Sequence, residues 1–180
     1  SATLTLSANN TFTGDTTISS GDLAVGGSGK LGGGSYNGAI AIASGSTLSY
    51  SSSSSQTFSG SISGDGDIEK ITSASSTLTI SGANSYTGGT VVSAGIIKAG
   101  NSYSTGPPET DAFGTGSLTI ATGAVLDLNG QTINNTTTIS GTGISSTGAI
   151  TNSNATAATI SGNITLAADS SIGGSNNVTL

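Results

Sequence analysis

LTISGANSYTGGTVVSAGIIKAG, residues 78–100, decides how this chain reads, because LTLSANNTFTGDTTISSGDLAVG at residues 4–26 is the same unit aligned without a gap. Ten of the 23 pairs are identical, and most others exchange like for like, as in Leu6/Ile80, Phe12/Tyr86, Ile18/Val92 and Leu23/Ile97. Short apolar runs framed by Gly, Asn, Ser and Thr read as short strands joined by tight turns. A unit of this size cannot bury its apolar face alone and must stack on its neighbours.

The repetition continues beyond that unit. AIAIASGSTLSY at 39–50 follows the first copy and SLTIATGAVLDL at 117–128 follows the second, with the spacing grown from 74 to 78. The change places a four-residue insertion in the loop NSYSTGPPETDAFG, residues 101–114. SNNVTL at 175–180 resembles SATLTL at 1–6, so residues 1–180 read as a single segment of a longer array, with copies starting near 4, 78 and 175.

Gly, Ser and Thr make up half of the 180 residues, 33% of the chain is hydrophobic and only 7% is charged. That balance alone would suit a disordered linker, but disorder usually goes with few β-branched residues. Here Leu4/Leu6, Leu78/Ile80 and Leu118/Ile120 alternate with polar residues, the period of strands with one buried face. Gly or a turn pair interrupts nearly every window that could hold a helix. The expected fold class is all-β. Nine acidic residues face only Lys30, Lys70 and Lys98, with no Arg or His, which argues against the cation cluster that nucleic-acid binding requires. No apolar run approaches the roughly 20 residues of a membrane span, so no direct membrane insertion of this segment is expected. The absence of Cys suits a chain that crosses a periplasm unfolded.

The second copy resembles the autotransporter-associated β-strand repeat of Gram-negative passenger regions and giant surface adhesins. The resemblance rests on Leu78-Thr79-Ile80, on the run from Ser81 through Asn84 and Tyr86 to Gly88-Gly89-Thr90, and on Val92, Gly95 and Ile97. The first copy departs from the pattern at Asp15, where a second Gly is preferred. FGTGSLTIATGAVLDLNG and TNSNATAATISGNITL resemble other recurrent passenger segments. The resemblance implies a right-handed parallel β-helix, a β-solenoid. In it Leu78, Ile80, Val92 and Ile97 would point inward, Gly82 and Gly88-Gly89 would form turns with positive φ, and Asn84 and Asn10 would cap turn backbone or stack across coils. At 20–25 residues per coil and about 4.8 Å between coils, the chain would form about eight coils and roughly 40 Å of rod.

Catalysis has little to be built from, since there is no His, Arg or Cys to pair with a carboxylate; no catalytic or cofactor-binding residues are expected, and the chain reads as a non-enzyme. The densest acidic stretch is Asp65-Gly66-Asp67-Ile68-Glu69. On one strand face, Asp65, Asp67 and Glu69 could hold Ca²⁺ through oxygen; an exposed acidic turn is the plainer reading. Gly26-Gly27-Ser28-Gly29-Lys30-Leu31 begins like the Ca²⁺-binding nonapeptide of other β-helices but places Lys30 where Asp is required. Thr-x-Thr pairs such as Thr3/Thr5, Thr77/Thr79 and Thr136/Thr138 raise an ice-binding face, which would need one pair per coil, although Thr is also simply a good solvent-face strand residue.

The function expected from this reading is a structural or adhesive extracellular stalk, outer-membrane anchored through a flanking region. A glycan- or cell-binding adhesin module is the alternative, and ice binding and polysaccharide processing are more distant ones. A host-cell or glycan ligand and head-to-tail self-association through the two end strands are the partners expected.

Overall fold

Each strand among the described residues is only two to seven residues long, and nearly all have Gly, Ser or Asn at one end or both, so the chain turns every few residues and returns over itself. The computed structural model describes residues 2–71 and 76–180. Among these there is no α-helix, and every paired strand is parallel to its neighbour. The result is a parallel β-solenoid.

The longest sheet has eight strands and contributes one to each coil: Thr3–Leu6, Asp22–Val25, Thr47–Tyr50, Asp67–Lys70, Thr90–Val92, Leu118–Ile120, Thr137–Gly141 and Ile164–Ser170. At the usual spacing of parallel strands the outermost two lie about 34 Å apart. A second sheet of six strands runs from Ser35–Tyr36 through Gln56–Phe58, Thr77–Ile80, Gly95–Ala99 and Ala124–Asp127 to Ile150–Thr151. Two three-stranded sheets complete the wall.

Period-two alternation places one side of the strands inside between the end coils, whereas Thr3–Leu6 and Ile164–Ser170 at the two ends of the long sheet stay largely exposed. Leu23, Leu48, Ile68, Thr90, Leu118 and Thr137 stack in register up the long sheet, all of them buried. In the second sheet Gln56, Leu78, Ile97, Leu126 and Ile150 form the equivalent inner row. A second inner row there passes from Tyr36 to Phe58, Ile80 and Ala99, so aromatic bulk is concentrated in the lower coils. Tyr36 and Phe58 meet edge to face at 6.4 Å, as do Tyr50 and Phe58 at 6.3 Å. The predicted inward residues Leu78, Ile80, Val92 and Ile97 are all fully buried.

Both repeat copies make one complete turn of the solenoid. The first strand of the copy pairs with the third: Leu4 lies over Leu23, and Leu78 lies over Ile97. The copies nevertheless face different ways. Thr3–Leu6 belongs to the long sheet, whereas its counterpart Thr77–Ile80 belongs to the second sheet. The intervening coils differ in length, and their sum sets which wall a given strand joins.

Glycine has a different use from the expected one. Gly82, Gly88 and Gly89 are not among the residues with positive φ. A Cβ on Gly82 would instead lie 2.1 Å from Gly60 O, and one on Gly88 would lie 2.1 Å from Gly66 O. Gly82 and Gly88 stack backbone against backbone at the corners, where there is no room for any side chain, whereas a Cβ on Gly89 would come no closer than 3.6 Å to its neighbours. Asn84 does cap backbone as expected: its Oδ1 accepts from Ile62 N at 2.7 Å and its Nδ2 donates to Ala112 O at 2.7 Å, tying three coils together. Asn10 Nδ2 donates to Ala8 O at 2.7 Å.

Candidate functional site

A solenoid offers its outer faces, its corners and whatever loops leave the coil. Along the outer face of the long sheet, one row runs Thr5, Ala24, Ser49, Glu69, Val91, Thr119, Thr138 and Thr165. It is not a uniform Thr row: four consecutive coils carry Ala, Ser, Glu and Val, which breaks the periodic match that ice binding needs. A shallow groove of about 290 Å³ crosses the same face among Thr3, Asp22, Thr47, Ser49, Glu69 and Ile71. On the second sheet, Lys98 Nζ lies 3.3 Å from Asp127 Oδ2, and Asp127 also accepts from Ser153 Oγ at 2.6 Å, a polar clasp across three coils.

The acidic stretch 65–69 is not one face of one strand. Gly64, at φ +99°, turns the corner, so Asp65 lies in a bend and only Asp67 and Glu69 share the strand Asp67–Lys70. Asp65 Oδ1 accepts from Thr87 Oγ1 and Asp67 Oδ1 from Gly89 N, each at 2.7 Å. Both carboxylates thus bind the next coil. Among the described residues no three acidic, His or Cys side chains gather as a metal cluster.

Lys70, at the end of the same strand, points inward and is fully buried. Its Nζ donates to Ser76 Oγ at 2.9 Å and lies 5.5 Å from the centre of the Tyr50 ring, close enough for a cation–π contact. Burial lowers its pKa to about 8. Sequence reasoning counted it as a surface charge, although the alternation from Ile68 already assigns position 70 to the inside.

The inserted loop 101–114 leaves the coil and folds back on it. Ser104 and Thr110 pair across it, Tyr103 N donates to Thr132 O at 2.8 Å, and Asn84 and Asp111 exchange backbone hydrogen bonds. Asp111 is thereby carried between coils and is only 1% exposed. Its Oδ2 accepts from Asn134 N at 2.8 Å and its Oδ1 from Phe113 N at 3.3 Å. Burial raises its pKa to about 6, although these backbone N–H groups pull it the other way.

A carboxyl whose pKa is raised on folding stabilises the chain most below its unfolded value, and that contribution is lost as pH rises through its folded value. Asp111→Asn keeps one acceptor oxygen, enough for one of the two N–H groups, and removes the charge, so its own cost does not change with pH. In chelator-containing buffer, wild type should therefore lose ground to Asp111→Asn between pH 4 and pH 7, by at most about 3 kcal/mol. Paired urea melts at the two pH values check it; a pH-independent difference would contradict the buried carboxylate.

Comparison with known proteins places this geometry. The family model of the passenger-associated-transport-repeat matches residues 1–25 and 75–99, the two copies read from the sequence. The Adhesin BmaC autotransporter of Brucella suis is 43% identical over 76 residues, covering 41% of this chain and 2% of that protein. The chain therefore spans a very small part of the length of the curated relative it matches. No solved structure matches it. Passenger regions of this kind lie at the cell surface or outside the cell. Residues 1–25 and 75–99 are thus similar to passenger-associated-transport-repeats, and each of the two copies forms one turn of a parallel β-solenoid.

Proposed function

We propose that the chain is a non-enzymatic stalk segment of an adhesive passenger, anchored at the outer membrane through a flanking region. The observation that supports this most is the eight-stranded parallel sheet that continues through every coil. Hydrogen bonds between coils run along the axis of the stack, so a pull on its ends loads many of them at once. Such a spine holds whatever flanks it at a fixed distance from the cell. The relative carries the name adhesin, and in this reading the segment serves adhesion by spacing and not by contact.

The alternative, direct binding of glycan or cells, is supported by the groove among Asp22, Thr47, Ser49 and Glu69, whose hydroxyl and carboxylate groups could hydrogen-bond sugar. One experiment separates the two. The purified chain is immobilised on beads and exposed to a glycan array and to host cells. A spacer should retain no more than uncoated beads do. Saturable retention that is lost in Glu69→Ala would overturn the spacer reading in favour of a binding module. Release of reducing ends or unsaturated sugars would overturn both.

A further inference from the structure

The cavity under the inserted loop collects oxygen acceptors, one of which is buried and has no donor among the described residues. It measures about 50 Å³ and is lined by Tyr103, Glu109, Asp111, Thr115, Asn134 and Asn135, together with Gly114. Asn135 is 3% exposed, and its Nδ2 donates to the carbonyls of Phe113, Gly114 and Gly116 at 2.9 to 3.2 Å. Those three acceptors fix the orientation of the amide, because turning it over would set Oδ1 against three carbonyl oxygens. Oδ1 itself has no hydrogen-bond partner among the described residues. A buried amide oxygen left this way costs free energy on the order of a lost hydrogen bond, and a bound water or ion is one way such a group is satisfied.

The rest of the lining says which. Asp111 uses one lone pair on each oxygen for a backbone N–H, and an ionised carboxylate has about four such sites in all. Glu109, exposed at the mouth beside Tyr103, supplies a second carboxylate. No His or Cys exists in the chain to offer nitrogen or sulfur. Two carboxylates and an amide oxygen form a set of hard oxygen donors in irregular positions. Ca²⁺ accepts six to eight oxygens in flexible geometry, whereas Mg²⁺ demands a near-ideal octahedron and keeps its waters. The volume also suits an ion with one water, since a water takes up about 30 Å³ of liquid.

We propose that this cavity is a Ca²⁺ site, with Asp111, Glu109 and Asn135 Oδ1 as ligands. The ion would pin the loop 101–114 to the coil carrying Asn134 and Asn135, and so join the inserted loop to the spine. It would also supply a cation to the buried Asp111 carboxylate, which has no ion-pair partner among the described residues.

The test uses the whole chain, stripped of metal with a chelator. Calorimetric titration with CaCl₂ near neutral pH should show one site per chain, half-saturated at about 10⁻⁴ to 10⁻³ M, the range of extracellular calcium modules. Tb³⁺ in the same site should luminesce on tyrosine excitation through Tyr103, and Ca²⁺ should displace it. Glu109→Gln, on an exposed side chain, should weaken binding about tenfold and leave the metal-free melting temperature unchanged. Tyr103→Phe should bind Ca²⁺ with little change. Asp65→Asn should bind as wild type does. Absence of saturable binding up to about 10 mM Ca²⁺ would overturn the site. So would binding that survives Glu109→Gln unchanged but is lost in Asp65→Asn, which would move it to the acidic corner at 65–69.

Discussion

Ile97→Asp is expected to leave the chain without a cooperative β-type melting transition at neutral pH. Ile97 is fully buried and stacks in register between Leu78 on one coil and Leu126 on the next. The substitution removes a buried aliphatic side chain worth about 1.5–3 kcal/mol. It also asks a carboxylate to leave water where neither neighbour in the row can pair with it, and burying an unpaired ion is far more costly. Because coils are stabilised mainly by their immediate neighbours, a fault in a central coil weakens both of its interfaces at once and leaves two short stacks. Val92→Asp, an equally buried substitution, is the milder change. Val92 lies in register with Lys70, so a carboxylate there would have a buried cation beside it. Thr79→Asp, on the outer face next to Lys98, should change stability by no more than about 0.5 kcal/mol. Far-UV circular dichroism melts of the three variants check the order. Partial recovery of Ile97→Asp near pH 3, where the carboxyl is protonated, would confirm that charge and not shape is the cause.

The contrast between Val92 and Ile97 shows what the sequence could and could not reveal. Alternation at period two marked both as inward, because a strand has only two faces. Which residues are neighbours in the stacked rows depends on how many residues each coil holds, and insertions change that number without leaving a local mark. The turns illustrate the same limit. The corner that begins at Gly64 leaves Asp65 in a bend ahead of the strand Asp67–Lys70, so three acidic residues at strand spacing do not share a strand. The cavity at Asp111 was hidden more deeply. Tyr103, Glu109 and Asp111 lie in the loop 101–114, but the coil that completes the cavity, with Asn134 and Asn135, follows some twenty residues later. The length of the insertion was readable; where it folds back was not. Lys70 was readable and missed, since the strand alternation that buries Ile68 also buries the residue two positions on.

Gly88→Ala should destabilise the chain by about 3 kcal/mol or more, whereas Gly14→Ala, the same position of the repeat in the other copy, should be neutral or slightly stabilising. An added Cβ at Gly88 would lie 2.1 Å from Gly66 O, 2.4 Å from Gly66 C and 2.9 Å from Asp67 Oδ1. Two of those atoms are backbone, fixed by the pairing of Ile68 with Thr90 a few residues away, so they cannot retreat without opening the coil spacing. Gly116 stacks on Gly88 in turn, with its own added Cβ 1.9 Å from Gly88 O, so a shift at Gly88 would be passed to a third coil. At Gly14 an added Cβ meets nothing within 4 Å, and φ is not positive there. Alanine then only narrows the unfolded ensemble, worth about 0.4–1 kcal/mol in favour of the fold. If the repeat specified its glycines for turn conformation, the two substitutions would cost alike. Because a corner glycine is demanded by the coil beneath it, they should differ by several kcal/mol, and equal melting temperatures for the two variants would show that the corners do not stack as closely as this.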